Sequence, residues 1–492
     1  MTTAVTDTST LDEFVERLSQ GYVGGEWVDT LGAESATLVD PGDETPSFTV
    51  RLGDDRDADR AVEAAAAAFD DWSGTPLERR LELLERMLDE TQARRDVLGL
   101  ACTLTVGTPI SISPGRHVDI PVGFGRALVE IFRTFEFAKS RGTTVIAREP
   151  IGVCSLITPW NWPFGQSIQK IVAAVGAGNT CIVKPSEFTP LDAAIFADIV
   201  DTVGFPAGVI NVVQGRGPVV GERLASHPDV ALTSITGSTA AGAHVARAGA
   251  ATIKRVLQEL GGKSPNVLLD DADFSRAVPA GVRGAFGNSG QSCSALTRML
   301  VPEDRWDEAC AYAAEAAESI RIGMPLDPEA ELGPLVNRAQ FDRVQGLVAA
   351  ALDDGAELVT GGLGRPEGFD RGFFCRPTVL GVRDPDAMIA QTEIFGPVLV
   401  VQPYTDDDDA VRIANNSVYG LAGAVQSANL ERARAIAVRL RVGTVSINSP
   451  AFDNQAPSGG YKRSGNGRER GEAGISDFLE TKSIVGWSAP TP

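Results

Sequence analysis

The stretch GVCSLITPWNWPF (152–164) begins with a short apolar run and passes through an aromatic loop into an Ala-rich segment of helical length. The same alternation returns at TCIVK (180–184), GVINVV (208–213) and ALTSIT (231–236). Continuous apolar runs separated by segments of helical length are typical of βαβ units around a buried parallel sheet. We therefore expect an α/β domain whose ligand-binding loops follow the carboxyl ends of these strands.

A second alternation of the same kind follows residue 262. Its apolar runs include NVLL (266–269), TRMLV (297–301) and VLVVQPY (398–404), with segments of helical length at 305–320 and 339–354. A second α/β domain is therefore expected.

Two further strand-like pieces have no obvious place in either sheet. They are TTVIARE (143–149) and TKSIVGW (481–487), each beside a charged flank. An unpaired strand edge invites pairing with another chain. They could therefore pair with another subunit.

Composition excludes several classes of partner. The chain has 492 residues and a net charge of -21, so nucleic acid and anionic membrane surfaces would repel it. The segment MTTAVTDTSTLDEFVERL has neither a basic nor an apolar region, and no stretch approaches the roughly 20 apolar residues of a membrane span. Six cysteines without CxxC pairs and three histidines suggest neither disulfides nor a zinc site. A cytoplasmic protein without a metal is expected.

Two glycine-rich loops could hold a phosphate. GRGPVVG (215–221) lies between a strand and a helix but misses the G-x-G-x-x-G spacing by one residue. GSTAAG (237–242) lies at a strand-to-helix turn, where free backbone N–H groups favour an anion. A tight turn with a serine N-cap explains either loop about as well as a nucleotide does.

Polar side chains follow two of the predicted strands. In TPWNWPF (158–164), the Asn161 amide could stabilise a developing oxyanion, or it could simply form a turn between packed aromatic rings. In KPSE (184–187), Lys184 and Glu187 could bind the hydroxyls of a ribose, or they could belong to a solvated loop.

FGNSGQSCSA (286–295) places Cys293 in a polar, glycine-rich stretch, whereas a structural cysteine usually lies in an apolar core. This context is typical of a thiol that a substrate must reach. Glu259 precedes the Gly-Gly turn of QELGGKSP (258–265) and is either an exposed carboxylate at a helix end or a base. A thiol nucleophile that forms a thioester needs such a base to activate water for its release.

The ordered set of these motifs resembles the aldehyde dehydrogenase superfamily. The motifs run from about residue 20 to about residue 486 and, in chain order, are PWNWPF, KPSE, TGSTAAG, LGGKSP, GNSGQSC, EIFGPV, NSVYGLAG and GGYKRSG. The interval between Glu259 and Cys293 also fits. Each motif is weak on its own, but the ordered set is highly specific.

The resemblance implies an α/β fold with three parts. A Rossmann-type NAD-binding domain would comprise residues 1–128 and 149–258, and an α/β catalytic domain residues 259–447. A small β oligomerisation arm would comprise residues 129–148 and 475–492, and the assembly would be a homodimer or a homotetramer.

The resemblance also assigns roles residue by residue. Cys293 would be the nucleophile, Glu259 the general base, and Asn161 the side-chain half of an oxyanion hole completed by the Cys293 backbone N–H. The remaining positions that match the family would bind the cofactor: Trp160, Lys184, Glu187, Gly237, Ser238, Glu393 and Phe395. Because Glu187 would repel a 2′-phosphate, NAD is expected in preference to NADP. No metal is implied.

The implied reaction is the oxidation of an aldehyde to the carboxylic acid through a thiohemiacetal and a thioester on Cys293. Two alternatives remain open, namely a CoA-acylating aldehyde dehydrogenase and a non-catalytic relative that has kept the fold. Glu259 favours hydrolysis.

The resemblance also implies which residues line the aldehyde tunnel: Trp162, Gly165, Gln169, Ser292, Ser294, Phe452 and Ser458. Several of these residues are small, and none is Arg or Lys. We therefore expect bulky aromatic or long-chain aldehydes to be better substrates than acetaldehyde or succinic semialdehyde.

Overall fold

The structure is a computed structural model that describes residues 7–451 and 453–488. The strands in chain order are β1 (Gln20–Val23), β2 (Glu26–Asp29), β3 (Ser35–Val39), β4 (Pro46–Arg51), β5 (Ala138–Arg141), β6 (Thr144–Pro150), β7 (Val153–Ile157), β8 (Thr180–Lys184), β9 (Ile210–Val212), β10 (Leu232–Thr236), β11 (Arg255–Glu259), β12 (Pro265–Leu268), β13 (Arg298–Pro302), β14 (Glu357–Thr360), β15 (Thr378–Gly381), β16 (Val398–Tyr404), β17 (Ala422–Gln426), β18 (Thr444–Ile447), β19 (Gly465–Asn466) and β20 (Leu479–Val485).

The α-helices in chain order are α1 (Asp12–Glu16), α2 (Asp55–Ser73), α3 (Leu77–Ala93), α4 (Arg95–Val106), α5 (Ile120–Thr134), α6 (Pro163–Ala177), α7 (Pro190–Val203), α8 (Glu222–Ser226), α9 (Thr239–Ala250), α10 (Phe274–Phe286), α11 (Trp306–Glu318), α12 (Arg338–Asp353), α13 (Met388–Gln391), α14 (Asp407–Asn415), α15 (Leu430–Ala437) and α16 (Gly471–Ser476). Within residues 7–451 and 453–488, no helix combines the length and apolar character needed to cross a membrane.

The first sheet has the strand order β19-β11-β10-β7-β8-β9-β1-β2. Strands β7 to β11 pair in parallel, and β1, β2 and β19 extend the sheet in antiparallel fashion. Every residue of β7, β8 and β10 is buried, as expected for a parallel sheet covered by helices on both faces. Helix α6 packs against this sheet and is buried along nearly its whole length. It begins directly after the loop that follows β7, so the end of that loop lies in the core.

The second sheet has the order β14-β15-β16-β13-β12-β17-β18 and is parallel except at β14. Buried Arg298 begins its central strand β13. The Arg298 guanidinium donates to the carbonyl oxygens of Lys263, Ile413 and Ala414 at 2.8–3.0 Å. These bonds satisfy the buried cation and fix the segment just before β12, which leads from Glu259 into this sheet. The two predicted alternations of strand and helix thus each form a sheet of mainly parallel strands, as the α/β fold class requires.

A third, three-stranded sheet has the order β20-β6-β5. Strand β6 pairs with β20, so that Arg148 lies opposite Thr481. TTVIARE and TKSIVGW are therefore partners within one chain, and our expectation that both lack an intrachain partner is wrong. Antiparallel pairing satisfies their facing backbone groups, and only the outer edges of β5 and β20 stay open. Residues 129–134 belong to α5, and the sheet begins at Ala138.

Candidate active site

A cavity of about 400 Å³ contains both Cys293 and Glu259 in its wall. Glu259 ends strand β11, so it is not a helix-end residue. The cavity wall also includes most of the predicted tunnel residues: Trp162, Gly165, Gln169, Ser292, Ser294 and Ser458. The remaining one, Phe452, lies outside the described residues.

The Cys293 loop has an unusual backbone. Asn288, Ser289 and Gly290 adopt left-handed conformations in succession, with φ of 53°, 57° and 73°. A Cβ on Gly290 would overlap the Gly396 carbonyl, so only glycine fits there. On the other side of the loop, a Cβ on Gly262 would lie 2.7 Å from the Cys293 carbonyl oxygen. Close backbone approach therefore requires glycine at positions 290 and 262.

Asn161 is fixed to this loop by a buried hydrogen-bond chain. Its Nδ2 donates to the Gln291 carbonyl at 2.9 Å, and Asn288 Nδ2 donates to the Asn161 carbonyl at 2.9 Å. The Thr108 hydroxyl donates to Asn288 Oδ1 at 2.7 Å and accepts from His117 Nε2 at 3.0 Å. Burial lowers the pKa of His117 to about 3, so the ring is neutral and carries its proton on Nε2. These bonds fix the Asn161 amide to the loop that carries Cys293.

Glu259 has a carboxylate oxygen ready to accept a proton. Its Oε1 is shielded from solvent and has no hydrogen-bond partner among the described residues. Burial and the nearby Glu469 carboxylate raise the pKa of Glu259 well above its ordinary value, and the Lys170 charge opposes this rise. A carboxylate with a raised pKa is a stronger base toward water.

Glu469 and Lys170 are functional candidates that the sequence analysis did not single out. Lys170 Nζ contacts the Glu469 carboxylate and donates to Ser234 Oγ at 2.9 Å. The glycine-rich loop before Glu469 reaches this place because Gly465 in β19 pairs with Glu259 in β11. The sequence could have indicated Lys170, because it is the single charged residue of the apolar segment SIQKIVAAV (167–175).

The Cys293 thiol is protonated in this environment. Burial raises its pKa to about 12, helped by the negative charges of Glu393, Glu259 and Glu469. The side chain is nevertheless only partly buried and remains in contact with the cavity. A base or a nearby positive charge must therefore assist its ionisation before it can attack.

The predicted ribose contacts lie where β8 ends, in the crevice where open α/β sheets bind ligands. Buried Lys184 has its Nζ 3.4 Å from Glu187 Oε2. After β10, Gly237 leads into α9, and Ser238 caps this helix by accepting from the Ala241 N–H at 3.2 Å. The N-terminus of a twelve-residue helix favours an anion. The arrangement fits a dinucleotide with its ribose at Lys184 and its pyrophosphate at Ser238.

The remaining cofactor candidates form a second group. Trp160 and Phe395 meet edge to face with ring centres 5.4 Å apart, and Phe395 has a left-handed φ of 62°. Glu393 Oε1 accepts from the Gly262 N–H at 3.0 Å. A Cβ on Gly261 would overlap the Glu393 carboxylate, so a larger residue there would displace this side chain. Glu393 is thus fixed beside the Cys293 loop, as a nicotinamide-ribose contact would need.

A sequence model of the aldehyde dehydrogenase family matches residues 27–484. The chain belongs to this family. A 3-succinoylsemialdehyde-pyridine dehydrogenase from a Pseudomonas species is 46% identical over 468 residues, which are 95% of this chain and 98% of that protein.

Solved structures agree with this assignment. The crystal structure of a cysteine-to-alanine variant of aldehyde dehydrogenase C from Pseudomonas syringae, complexed with NAD+ and octanal, has a TM-score of 0.95 and 48% identity. The alignment covers 97% of this chain and 98% of that one. An aldehyde dehydrogenase from Mycobacterium tuberculosis complexed with NAD+ has a TM-score of 0.92 and 37% identity, with 95% and 98% coverage. The predicted family, fold class and aldehyde-oxidising activity are confirmed.

In one respect the cavity of this aldehyde dehydrogenase differs from the sequence expectation. None of the seven predicted tunnel positions is Arg or Lys, but the wall also includes Arg116 and Arg470, which the sequence analysis did not place there. Arg116 is exposed, whereas Arg470 is half-buried. Both were missed because they lie on segments outside the expected tunnel positions, before α5 and at the start of α16.

Proposed function

We propose that the chain oxidises an aldehyde to its carboxylic acid with Cys293 as nucleophile, Glu259 as general base and Asn161 in the oxyanion hole. The observation that carries this assignment is the shared cavity, in which the Cys293 thiol and the unpartnered Glu259 Oε1 face one substrate space. A nucleophile and a base that act in sequence on one carbon must share such a space.

The first half-reaction forms and oxidises a thiohemiacetal. The Cys293 thiolate attacks the aldehyde carbon, a C–S bond forms, and the carbonyl electron pair moves to oxygen. The Asn161 amide, oriented by its bond to the Gln291 carbonyl, donates to this oxyanion together with the Cys293 backbone N–H. NAD, when bound, accepts the hydride that leaves this carbon, and a thioester remains on Cys293.

The second half-reaction releases the acid. Glu259 takes a proton from water, the hydroxide attacks the thioester carbon, and the C–S bond breaks to release the carboxylic acid and the Cys293 thiolate. Glu259 then passes its proton to solvent water, which restores its carboxylate. The carboxylate of Glu469, paired with Lys170, lies close enough to influence this proton through its charge.

The hydride acceptor is NAD. Lys184 and Glu187 at the end of β8, Ser238 at the start of α9, and Glu393 beside Gly262 support this cofactor. Glu187 favours the free ribose hydroxyls of NAD over the 2′-phosphate of NADP because like charges repel.

We expect the substrates to be bulky aromatic or long-chain aldehydes. The cavity has aromatic and aliphatic walls, including Trp162, Phe124, Ile120 and Leu296, beside small residues that leave space. One relative is named for a pyridine-bearing semialdehyde, and the octanal complex concerns a long-chain aldehyde.

In this proposal the protein is a homodimer or a homotetramer and is located in the cytoplasm. The outer strand β20 is largely exposed, and Val485 and Trp487 at its end are 80% and 65% exposed. Such an edge suits pairing with a second copy. Light scattering at micromolar concentration that gives the mass of one 51.8 kDa chain would contradict this.

The division of the chain follows the sheets in the same proposal. Residues 1–128 and 149–258 form the NAD-binding domain and 259–447 the catalytic domain. Residues 129–148 and 475–492 form the oligomerisation arm, with its strands beginning at Ala138 and Leu479 and with residues 129–134 still part of α5. The first and second sheets and the β20-β6-β5 sheet support these three parts.

A purified-enzyme assay of NADH formation tests the reaction. Octanal and NAD alone are expected to give NADH and octanoic acid. A requirement for added CoA would indicate the acylating reaction instead. The absence of NADH with a broad aldehyde panel, with or without CoA, would indicate a non-catalytic relative.

A further inference from the structure

Arg470 is a cation in the wall of the Cys293 cavity that the proposed reaction does not use. Its Nε donates to Ser458 Oγ at 3.1 Å, and its Cζ lies 4.5 Å from the centre of the Phe124 ring. The hydrogen bond to Ser458 and the contact with the Phe124 ring help to fix the position and plane of this guanidinium. Arg470 is thus prepared to direct N–H donors at a ligand.

The backbone of Arg470 supports a role in binding. Its φ of 63° and ψ of 170° lie in a region that essentially only glycine adopts without strain. The segment is held by the bridge between Ser458 and Glu469, whose N–H groups donate to each other's carbonyls at 2.7 and 2.8 Å. Strained residues that their surroundings hold in place cluster at binding sites. The surrounding hydrogen bonds therefore hold Arg470 in a backbone conformation that is unfavourable for any residue other than glycine.

The charges around Arg470 select the type of acceptor. The carboxyl groups of Glu469, Glu259 and Asp453 interact with its cation. A substrate carboxylate would meet these negative charges, whereas an uncharged carbonyl oxygen accepts a guanidinium hydrogen bond without such repulsion. The aromatic rings of Phe124 and Trp162 in the same wall favour an apolar group beside that carbonyl.

We propose that Arg470 binds a second, uncharged carbonyl oxygen of the substrate, so that the preferred substrates are keto-aldehydes carrying a bulky apolar group. This inference rests on the proposed function of the Cys293 cavity as the aldehyde site. It assigns Arg470 to substrate selection and leaves the chemistry with Cys293 and Glu259.

A matched pair of substrates tests the proposal. 4-Oxo-4-phenylbutanal and 4-phenylbutanal differ only in the ketone oxygen, and succinic semialdehyde supplies the carboxylate comparison. The wild-type enzyme is expected to prefer the keto-aldehyde over 4-phenylbutanal by about 10-fold or more in kcat/KM, as for a hydrogen bond to a charged group. It is also expected to prefer the keto-aldehyde over succinic semialdehyde.

Three variants test whether Arg470 causes the preference for the keto-aldehyde. Arg470→Met is expected to bring the ratio of the two kcat/KM values to near one while 4-phenylbutanal is still oxidised. Ser458→Ala, which removes the contact to Nε, is expected to lower the ratio partly and covers the case in which Arg470→Met fails to fold. Arg126→Met, at an exposed arginine of α5 paired with Asp89, is the control and should keep the wild-type ratio.

The outcomes separate the two proposals. If none of the aldehydes gives NADH, the proposed function fails. If both phenyl aldehydes are oxidised with equal kcat/KM, or if Arg470→Met lowers both equally, Arg470 is not a substrate contact and this inference is overturned. A preference for succinic semialdehyde that Arg470→Met abolishes would overturn the choice of an uncharged acceptor. If Arg116→Met abolishes the preference and Arg470→Met does not, Arg116 binds the second carbonyl oxygen, and this inference is overturned.

Discussion

Lys170 and Glu469 form an ion pair within the core beside Glu259, and Lys170 also donates to Ser234 Oγ at 2.9 Å. Lys170 comes from α6 of the first sheet, and Glu469 comes from the loop before α16. The Glu469 charge raises the pKa of Glu259, and the Lys170 charge lowers it. The pair therefore controls the pH at which Glu259 becomes a base.

Glu469→Gln should move the pH profile of acyl-enzyme hydrolysis to lower pH. Hydrolysis needs the ionised form of Glu259, so its rate rises as pH passes through the Glu259 pKa. Removing the Glu469 charge leaves Lys170 to stabilise that ionised form, which lowers this pKa. Single-turnover hydrolysis rates against pH measure the shift, with exposed Glu472→Gln as the control. An unchanged profile would show that Glu469 does not act on the base.

Glu259→Gln should produce a burst of NADH followed by slow turnover. The variant keeps the shape of the side chain but cannot take a proton from water, so acylation proceeds and deacylation stalls. The burst should approach one equivalent per site, and the steady rate should fall by about 10²- to 10⁴-fold. Intact-protein mass spectrometry should find the acyl group on Cys293. Turnover at the wild-type rate would mean that another group activates the water.

Cys293→Ala should bind NAD and form no NADH, because no covalent step can begin. NAD binding is measured by calorimetry and NADH by absorbance. Cys310→Ala, at a buried cysteine of α11 outside the cavity, should retain the wild-type burst. NADH formation by Cys293→Ala would remove Cys293 from the nucleophile role.

Asn161→Ala should lower kcat by about 10²- to 10³-fold, because one oxyanion donor is lost. The NADH burst itself should slow, since the oxyanion forms before the hydride leaves. Asn288→Ala breaks the bond that holds the Asn161 carbonyl and should give a smaller loss with the same step affected. Rapid-mixing absorbance measures the burst rate, and an unaffected burst in Asn161→Ala would contradict the oxyanion assignment.

Glu187→Gln should reduce the preference for NAD over NADP. The wild-type carboxylate accepts from the ribose hydroxyls and repels a 2′-phosphate, and the amide removes the repulsion. The ratio of kcat/KM for the two cofactors is the measurement, with exposed Glu136→Gln as the control. Equal values of this ratio for Glu187→Gln and the wild type would show that Glu187 does not select the cofactor.

Local features of the sequence were enough to predict the fold class and the main catalytic candidates. Apolar runs such as TCIVK alternate with segments of helical length, and this periodicity is local, so the two parallel sheets could be predicted. The order and spacing of the motifs around Asn161, Glu259 and Cys293 indicated the family. Local chemistry also marked Cys293, because its polar, glycine-rich neighbours are adjacent in the chain.

Which distant residues share a site could be read from the tertiary structure and not from the sequence. Strand β6 finds its partner β20 more than three hundred residues later, and Lys170 meets Glu469 across a similar separation. Arg470 lies in the wall of the substrate cavity, where contacts with Ser458 and Phe124 from other segments help to hold its side chain. Contacts of this kind depend on how helices and sheets pack together, and neither residue type nor local spacing encodes that packing in a form that a single sequence reveals.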